Sequence, residues 1–109
     1  MQNLLNKRCE GCEGNVAPLT REEAEALMKE IEGWTLNSEA TMIENRFVFK
    51  NYYHTMAFVN AVAYLSHKEN HHPDLEVSYN RCIVRYTTHA IKGLSINDYI
   101  CAAKVNALC

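Results

Sequence analysis

Pro73 constrains this chain more than any other single residue. It separates the longest helical pattern from the clearest pair of strand patterns. Proline lacks the amide hydrogen that a helix interior requires, and its ring drives the preceding residue toward extended geometry. Upstream, Met56, Val59, Val62, Ala63 and Leu65 recur at helical spacing behind Asn51, a good N-cap. A helix is expected from Asn51 to about Asn70. Downstream, Leu75, Val77 and Tyr79 alternate as a strand, and Cys82, Val84 and Tyr86 as another. The pair Asn80-Arg81 is expected to make the tight turn between them, although arginine is not ideal there.

The flanking segments fit the same scheme. Thr20 and Glu23 have capping-box spacing, and Ala24, Leu27, Met28 and Ile31 then follow a helical stripe that Gly33 ends. Trp34 to Leu36 reads as a short strand and Thr41 to Lys50 as a longer one. In the longer strand Ile43, Phe47 and Phe49 share one face, and Glu44 and Arg46 lie on the other. Ser95 and Asp98 signal a last helix striped by Ile96, Tyr99, Ile100, Ala103 and Ala107. The order α-β-β-α-β-β-α predicts an α+β, two-layer domain. Three helices would lie on one face of a four-stranded, mainly antiparallel sheet.

The length of 109 residues argues for one domain, placed here at 18–109. Residues 1–17 read as a flexible N-terminal arm carrying Cys9 and Cys12 as a C-x-x-C. One such pair is too little for structural zinc, which takes four ligands, so two free thiols are expected. Five cysteines, an odd number, with no apolar leader argue against a disulfide framework and for a reducing cytoplasmic setting. A net charge of -2 offers nothing to nucleic acid or an anionic membrane, and neither is expected as a partner. No apolar run approaches the roughly 18 residues that span a bilayer.

His71, His72 and His89 fall within nineteen residues. If the third and fourth strands are neighbours, the loop before one and the loop after the other meet, and these imidazoles line one concave site. Histidine exchanges protons near neutral pH, so acid/base chemistry is the natural use. Bland readings exist for each position. His67 and His71 could merely complement a helix C-terminus. Asp98 is accounted for by its capping position, Tyr79 by packing on a strand, and His54 as a surface residue. His67, His71 and His89 could in principle hold zinc, but no H-E-x-x-H arrangement or paired thiol accompanies them, and no metal is expected.

The spaced series His67, His71-His72-Pro73, Tyr79, His89 and Asp98 resembles the signature of the pterin-4a-carbinolamine dehydratases. The resemblance covers about residues 18 to 108, and the cysteine-bearing arm is similar to the leader of some bacterial members. It implies three helices over a four-stranded antiparallel sheet, with homodimers or homotetramers formed through a sheet edge. It also implies dehydration of 4a-hydroxytetrahydropterin to quinonoid dihydropterin, in recycling the pterin cofactor of aromatic amino acid hydroxylases, with no cofactor of the protein's own. Carried over by position, His71, His72 and His89 are the catalytic histidines, with His71 and His89 the acid/base pair and His72 chiefly orienting the ring. Asn70, Thr87, Thr88 and Ala90 join them in binding the pterin. Asp98 and His67 would support these residues from behind. His67 stands where the best-known members carry Glu, so its loss is expected to alter the pH profile. The resemblance leaves two alternative functions for this chain: action on a different pterin, as in molybdenum-cofactor metabolism, or service as a protein-binding dimerisation partner.

Overall fold

The two strand patterns that flank the tight turn pair as the alternation requires. In the computed structural model, which describes residues 4–10 and 17–109, β3 (Asp74–Ser78) runs antiparallel to β4 (Arg81–Tyr86). The register pairs Asp74 with Arg85 and Ser78 with Arg81, so the two turn residues are Tyr79 and Asn80. This corrects the expected turn by one residue. The Tyr79 carbonyl accepts the Thr55 hydroxyl at 3.0 Å, and the Asn80 carbonyl accepts the Phe49 amide at 2.7 Å. These bonds hold the turn in place and leave Arg81 in a strand, where it suits the backbone.

β2 (Ile43–Val48) covers the other edge of β4, and the short β1 (Thr35–Leu36) pairs with β2. The sheet order is β1-β2-β4-β3, antiparallel throughout. Period-two alternation sends Ile43, Cys82, Val84 and Tyr86 into the core. The other face carries charges in cross-strand register. There Arg85 reaches Glu44 at 2.6 Å and Glu76 at 3.1 Å.

Three helices cover the apolar face: α1 (Arg21–Leu27), α2 (Tyr52–Glu69) and α3 (Ile96–Asn106). The fold is therefore α+β in the order expected. Thr20 and Glu23 form a reciprocal capping box at the start of α1, which tightens into a 3-10 turn at Met28–Glu30. Gly33 then reverses the chain at a φ of 89°. The Tyr99 hydroxyl donates to the Ala24 carbonyl at 2.9 Å, and Trp34 Nε1 donates to Asn106 Oδ1 at 2.9 Å, tying α1 and its exit loop to α3. Fully buried aliphatic side chains such as Ile43, Val62, Val84 and Leu94 each contribute about 1.5–3 kcal/mol.

The end of α2 is set before Pro73 acts. Asn70 adopts the left-handed conformation at a φ of 53°. Its amide bonds to His67 O at 3.3 Å, and the His71 amide bonds to Ser66 O at 3.1 Å. That pair of bonds is the Schellman arrangement, with asparagine in the place glycine usually takes. His71 is therefore off the helix, and it no longer shares a face with His67 as the four-residue spacing suggested.

The N-terminal segment contributes to the core. Its described part, residues 4–10, packs onto the domain. Leu4, in a 3-10 turn at Leu4–Asn6, is 3% exposed and belongs to the core. Cys12 lies outside the described residues.

Candidate active site

Four segments converge on a cavity of about 460 Å³, within the size range of small-ligand sites. The turn after α2 supplies Asn70, His71 and His72. The loop after β4 supplies Thr87, Thr88, His89 and Ala90. Asn97 comes from the first turn of α3, and Cys9 and Glu10 come from the N-terminal segment. The antiparallel register of β3 and β4 explains the meeting of the first two groups. It places the start of β3, just after the histidine pair, beside the end of β4.

His71 is the most firmly held imidazole. Its side chain is 13% exposed, and its Nε2 lies 2.6 Å from Asp98 Oδ1, which is fully buried. Its ring stacks on Tyr86, with centroids 5.7 Å apart and planes 8° from parallel. Asp98 Oδ2 accepts from the Thr88 hydroxyl at 2.8 Å and from the Ser95 amide at 3.0 Å. One carboxylate thus caps α3 with one oxygen and grips His71 with the other. Because a carboxylate only accepts, the proton on neutral His71 sits at Nε2, and Nδ1 carries the lone pair. Burial pushes the His71 pKa down, but the bond and charge of Asp98 outweigh it, so the net shift is upward.

The other imidazoles are freer. His72 is exposed, and its Nδ1 has a long 3.4 Å contact with the Pro73 carbonyl. The His89 side chain is 70% exposed, with Nε2 3.9 Å from Asp74 Oδ2. His67 is exposed and does not line the cavity. The Thr87 hydroxyl donates to Thr41 O at 2.7 Å, and the Thr88 hydroxyl donates to Asp98. Both hydroxyl protons are therefore spent within the protein, and only oxygen lone pairs remain to be offered to a ligand. Among the described residues, no group of three or more His, Cys, Asp or Glu side chains is placed to hold a metal ion.

Sequence reasoning missed Cys9, Glu10, Glu69 and Asn97 as cavity residues. Glu69 is 5% exposed, and its carboxylate accepts from Lys104 Nζ at 2.8 Å and from the Cys9 amide at 2.9 Å. Burial pushes its pKa up, but these two bonds and the Lys104 charge outweigh that and hold the carboxyl below its ordinary value. A signal for it was present, because Phe58, Val62, Leu65 and Glu69 fall on one helical stripe and only the last is charged. Asn97 grips the N-terminal segment: its Oδ1 accepts the Glu10 amide at 3.1 Å, and its Nδ2 donates to the Glu10 carbonyl. No sequence pattern pointed to that contact.

Residues 17–108 match the sequence model of the family described as pterin 4 alpha carbinolamine dehydratase. A protein of Nitrosomonas eutropha, provisionally named pterin-4-alpha-carbinolamine dehydratase, is 60% identical over 107 residues, 97% of this chain and 93% of its own length. A solved structure described as a transcriptional coactivator/pterin dehydratase from Brucella melitensis superposes with a TM-score of 0.79 at 30% identity, over 84% of this chain and 97% of that one. A second, described as a pterin dehydratase-like protein that is a RuBisCO assembly factor in the alpha-carboxysome, superposes with a TM-score of 0.62 at 27% identity. It covers 71% of this chain and 89% of that one. The match across nearly the whole domain, with a relative 60% identical over 97% of this chain, places it in the pterin-4a-carbinolamine dehydratase family.

Proposed function

We propose that this protein dehydrates 4a-hydroxytetrahydropterin to quinonoid dihydropterin, with His71 and His89 as the acid/base pair and His72 orienting the ring. The observation that carries the reading is the cavity-lining imidazole of His71, fixed in one tautomer by buried Asp98 at 2.6 Å. In the reaction the C4a–O bond breaks and the hydroxyl leaves as water after taking a proton from the acid. The N5–H proton goes to the base, and the electrons of that bond form the C4a=N5 double bond. No electron acceptor is consumed. Acid/base help of this kind contributes about 10²–10⁴ in rate, and holding the pterin between positioned groups adds more.

Each histidine suits its role differently. His71 offers Nδ1 to the ligand while Asp98 stabilises the imidazolium that forms, so it is suited to take the N5 proton. His89, largely exposed at the mouth, can exchange its proton with solvent between turnovers. The proposed pterin-binding set is Asn70, His71, His72, Thr87, Thr88, His89 and Ala90, all of which line the cavity. Return of the product to the hydroxylase cofactor cycle, in the cytoplasm and from a homodimer or homotetramer, belongs to the same proposal. A role confined to protein binding, or to another pterin, is the rival. The buried ion pair behind a cavity histidine favours catalysis, because a docking surface has no use for a fixed tautomer.

The test is stopped-flow dehydration of freshly made 4a-hydroxytetrahydropterin in chelator, with wild type beside His71→Ala and His89→Ala. Acceleration by wild type that falls at least about a hundredfold in both variants is the expected result. A folded wild type that does not accelerate the reaction rules the proposal out.

A further inference from the structure

The thiols of Cys9 and Cys101 are separated by 92 residues of sequence, yet their sulfurs lie 3.4 Å apart. Cys101 is fully buried on α3. Cys9 is half-buried, lines the cavity, and sits in a stretch without regular secondary structure. The same stretch is tied down at three backbone groups, the Cys9 amide on Glu69 and the Glu10 amide and carbonyl on Asn97. Neither thiol has a part in the dehydration proposed above. We propose that Cys9 and Cys101 form a dithiol–disulfide couple that, when oxidised, latches the N-terminal segment along the rim of the cavity.

The oxidant is a small disulfide of the glutathione class. Cys9, the more accessible of the two, first gives up its proton, against the contact with Cys101 and the burial that push its pKa up, and then attacks one sulfur of that disulfide. The S–S bond breaks, one small thiolate leaves, and a mixed disulfide remains on Cys9. Cys101 then loses its proton and attacks the Cys9 sulfur, expelling the second small thiolate. Two protein thiols are oxidised, one small disulfide is reduced to two thiols, and the two protons pass to solvent or to the leaving thiolates. The sulfurs must close from 3.4 Å to about 2.05 Å. The irregular backbone at Cys9 can yield that distance, whereas the helix holding Cys101 need not move. In a reducing compartment the couple stays open, and an oxidising shift closes it. Cys12, three residues from Cys9, is the competing partner within the C-x-x-C.

The test uses the full chain as wild type, Cys12→Ser and Cys9→Ser. Each is equilibrated with oxidised glutathione, alkylated, and digested for peptide mapping. Amide hydrogen exchange is measured on the same samples. The expected result is a Cys9–Cys101 linkage in wild type and Cys12→Ser. Exchange at Cys9 and Glu10 should slow about tenfold or more, reverse with dithiothreitol, and stay unchanged in Cys9→Ser. A Cys9–Cys12 linkage in wild type with no Cys9–Cys101 linkage in Cys12→Ser overturns the proposal. So does a glutathione adduct on Cys9 that never closes, or a linkage that leaves exchange unchanged. No pterin enters these measurements, so their failure is independent of the dehydratase reading.

Discussion

Replacing Asp98 by Asn separates the two jobs of one buried carboxylate. The shape is kept and the charge is lost. Hydrogen bonds to a charged group contribute about 1.5–3 kcal/mol, and neutral ones about 0.5–1.5. The bonds from the Ser95 amide and the Thr88 hydroxyl thus weaken by about 1 kcal/mol each. The bond to His71 must reverse, because an amide NH₂ facing Nε2 donates where the carboxylate accepted. A total cost of about 2–3 kcal/mol lowers Tm by about 10–15 °C in a domain of this size. The His71 tautomer flips as well, and Nδ1 loses its lone pair. Burial, no longer offset by the carboxylate, now sets the His71 pKa and pulls it down. Dehydration should slow by about 10²–10³, and the pH limb assigned to His71 should move to lower pH.

Linkage gives the same substitution a second signature. The folded-state pKa of His71 is raised above its ordinary value of 6.5. Its contribution to stability is therefore complete below about 6.5 and is lost as pH rises through the folded value. The Tm difference between wild type and Asp98→Asn should accordingly be larger at pH 6 than at pH 9. Circular-dichroism melts and stopped-flow pH profiles on the same preparations check both statements. Ser95→Ala is the control, because it removes the 2.8 Å bond to the Thr88 hydroxyl and the Ser95 half of the capping box on α3, and leaves the His71 contact alone. It should cost about 1–3 kcal/mol and leave the limb in place. Asp98→Asn that is folded, with unchanged rate and limb, would refute the argument and reduce Asp98 to a helix cap.

Three further outcomes are expected. His89→Ala should lower turnover about 10² with Tm unchanged, because the side chain is 70% exposed and supports no packing. His67→Ala should leave the pH profile as it is, contrary to what the resemblance implied, since the side chain is exposed and does not line the cavity; titration of kcat decides it. Lys104→Met should cost about 3 kcal/mol in chemical denaturation, because Glu69 is left buried without its cation. Glu69 has a folded pKa below its ordinary 4.5, so its contribution is present above that value and lost as pH falls through the folded one. In Lys104→Met, acid sensitivity should therefore begin at higher pH.

Local rules read correctly wherever one residue's chemistry acted on its own neighbours. The alternation of Cys82, Val84 and Tyr86 gave a strand, Thr20 and Glu23 gave a capping box, and Asn51 capped α2 through its side chain to His54 N at 3.0 Å. They failed where a distant partner intervened. The turn moved to Tyr79 and Asn80 because Thr55 and Phe49 bind its carbonyls. The four-residue spacing of His67 and His71 lost its meaning once Asn70 turned left-handed. By capping rules alone Asp98 read as a complete cap, because those rules do not show that its second oxygen faces an imidazole 27 residues away; the supporting role came only from the spaced signature.

The sequence by itself determined the element order, the antiparallel sheet, and the grouping of His71, His72 and His89 about one pair of loops. Those follow from periodicity, capping and proline, which act over a few residues. Only the tertiary structure decided that His71 is gripped by Asp98, that His67 stands aside, and that Cys9 and Glu10 close the cavity on Asn97 and Glu69. Such contacts join residues as many as 88 positions apart, and they form because buried polar groups need partners wherever the packed helices and sheet bring them.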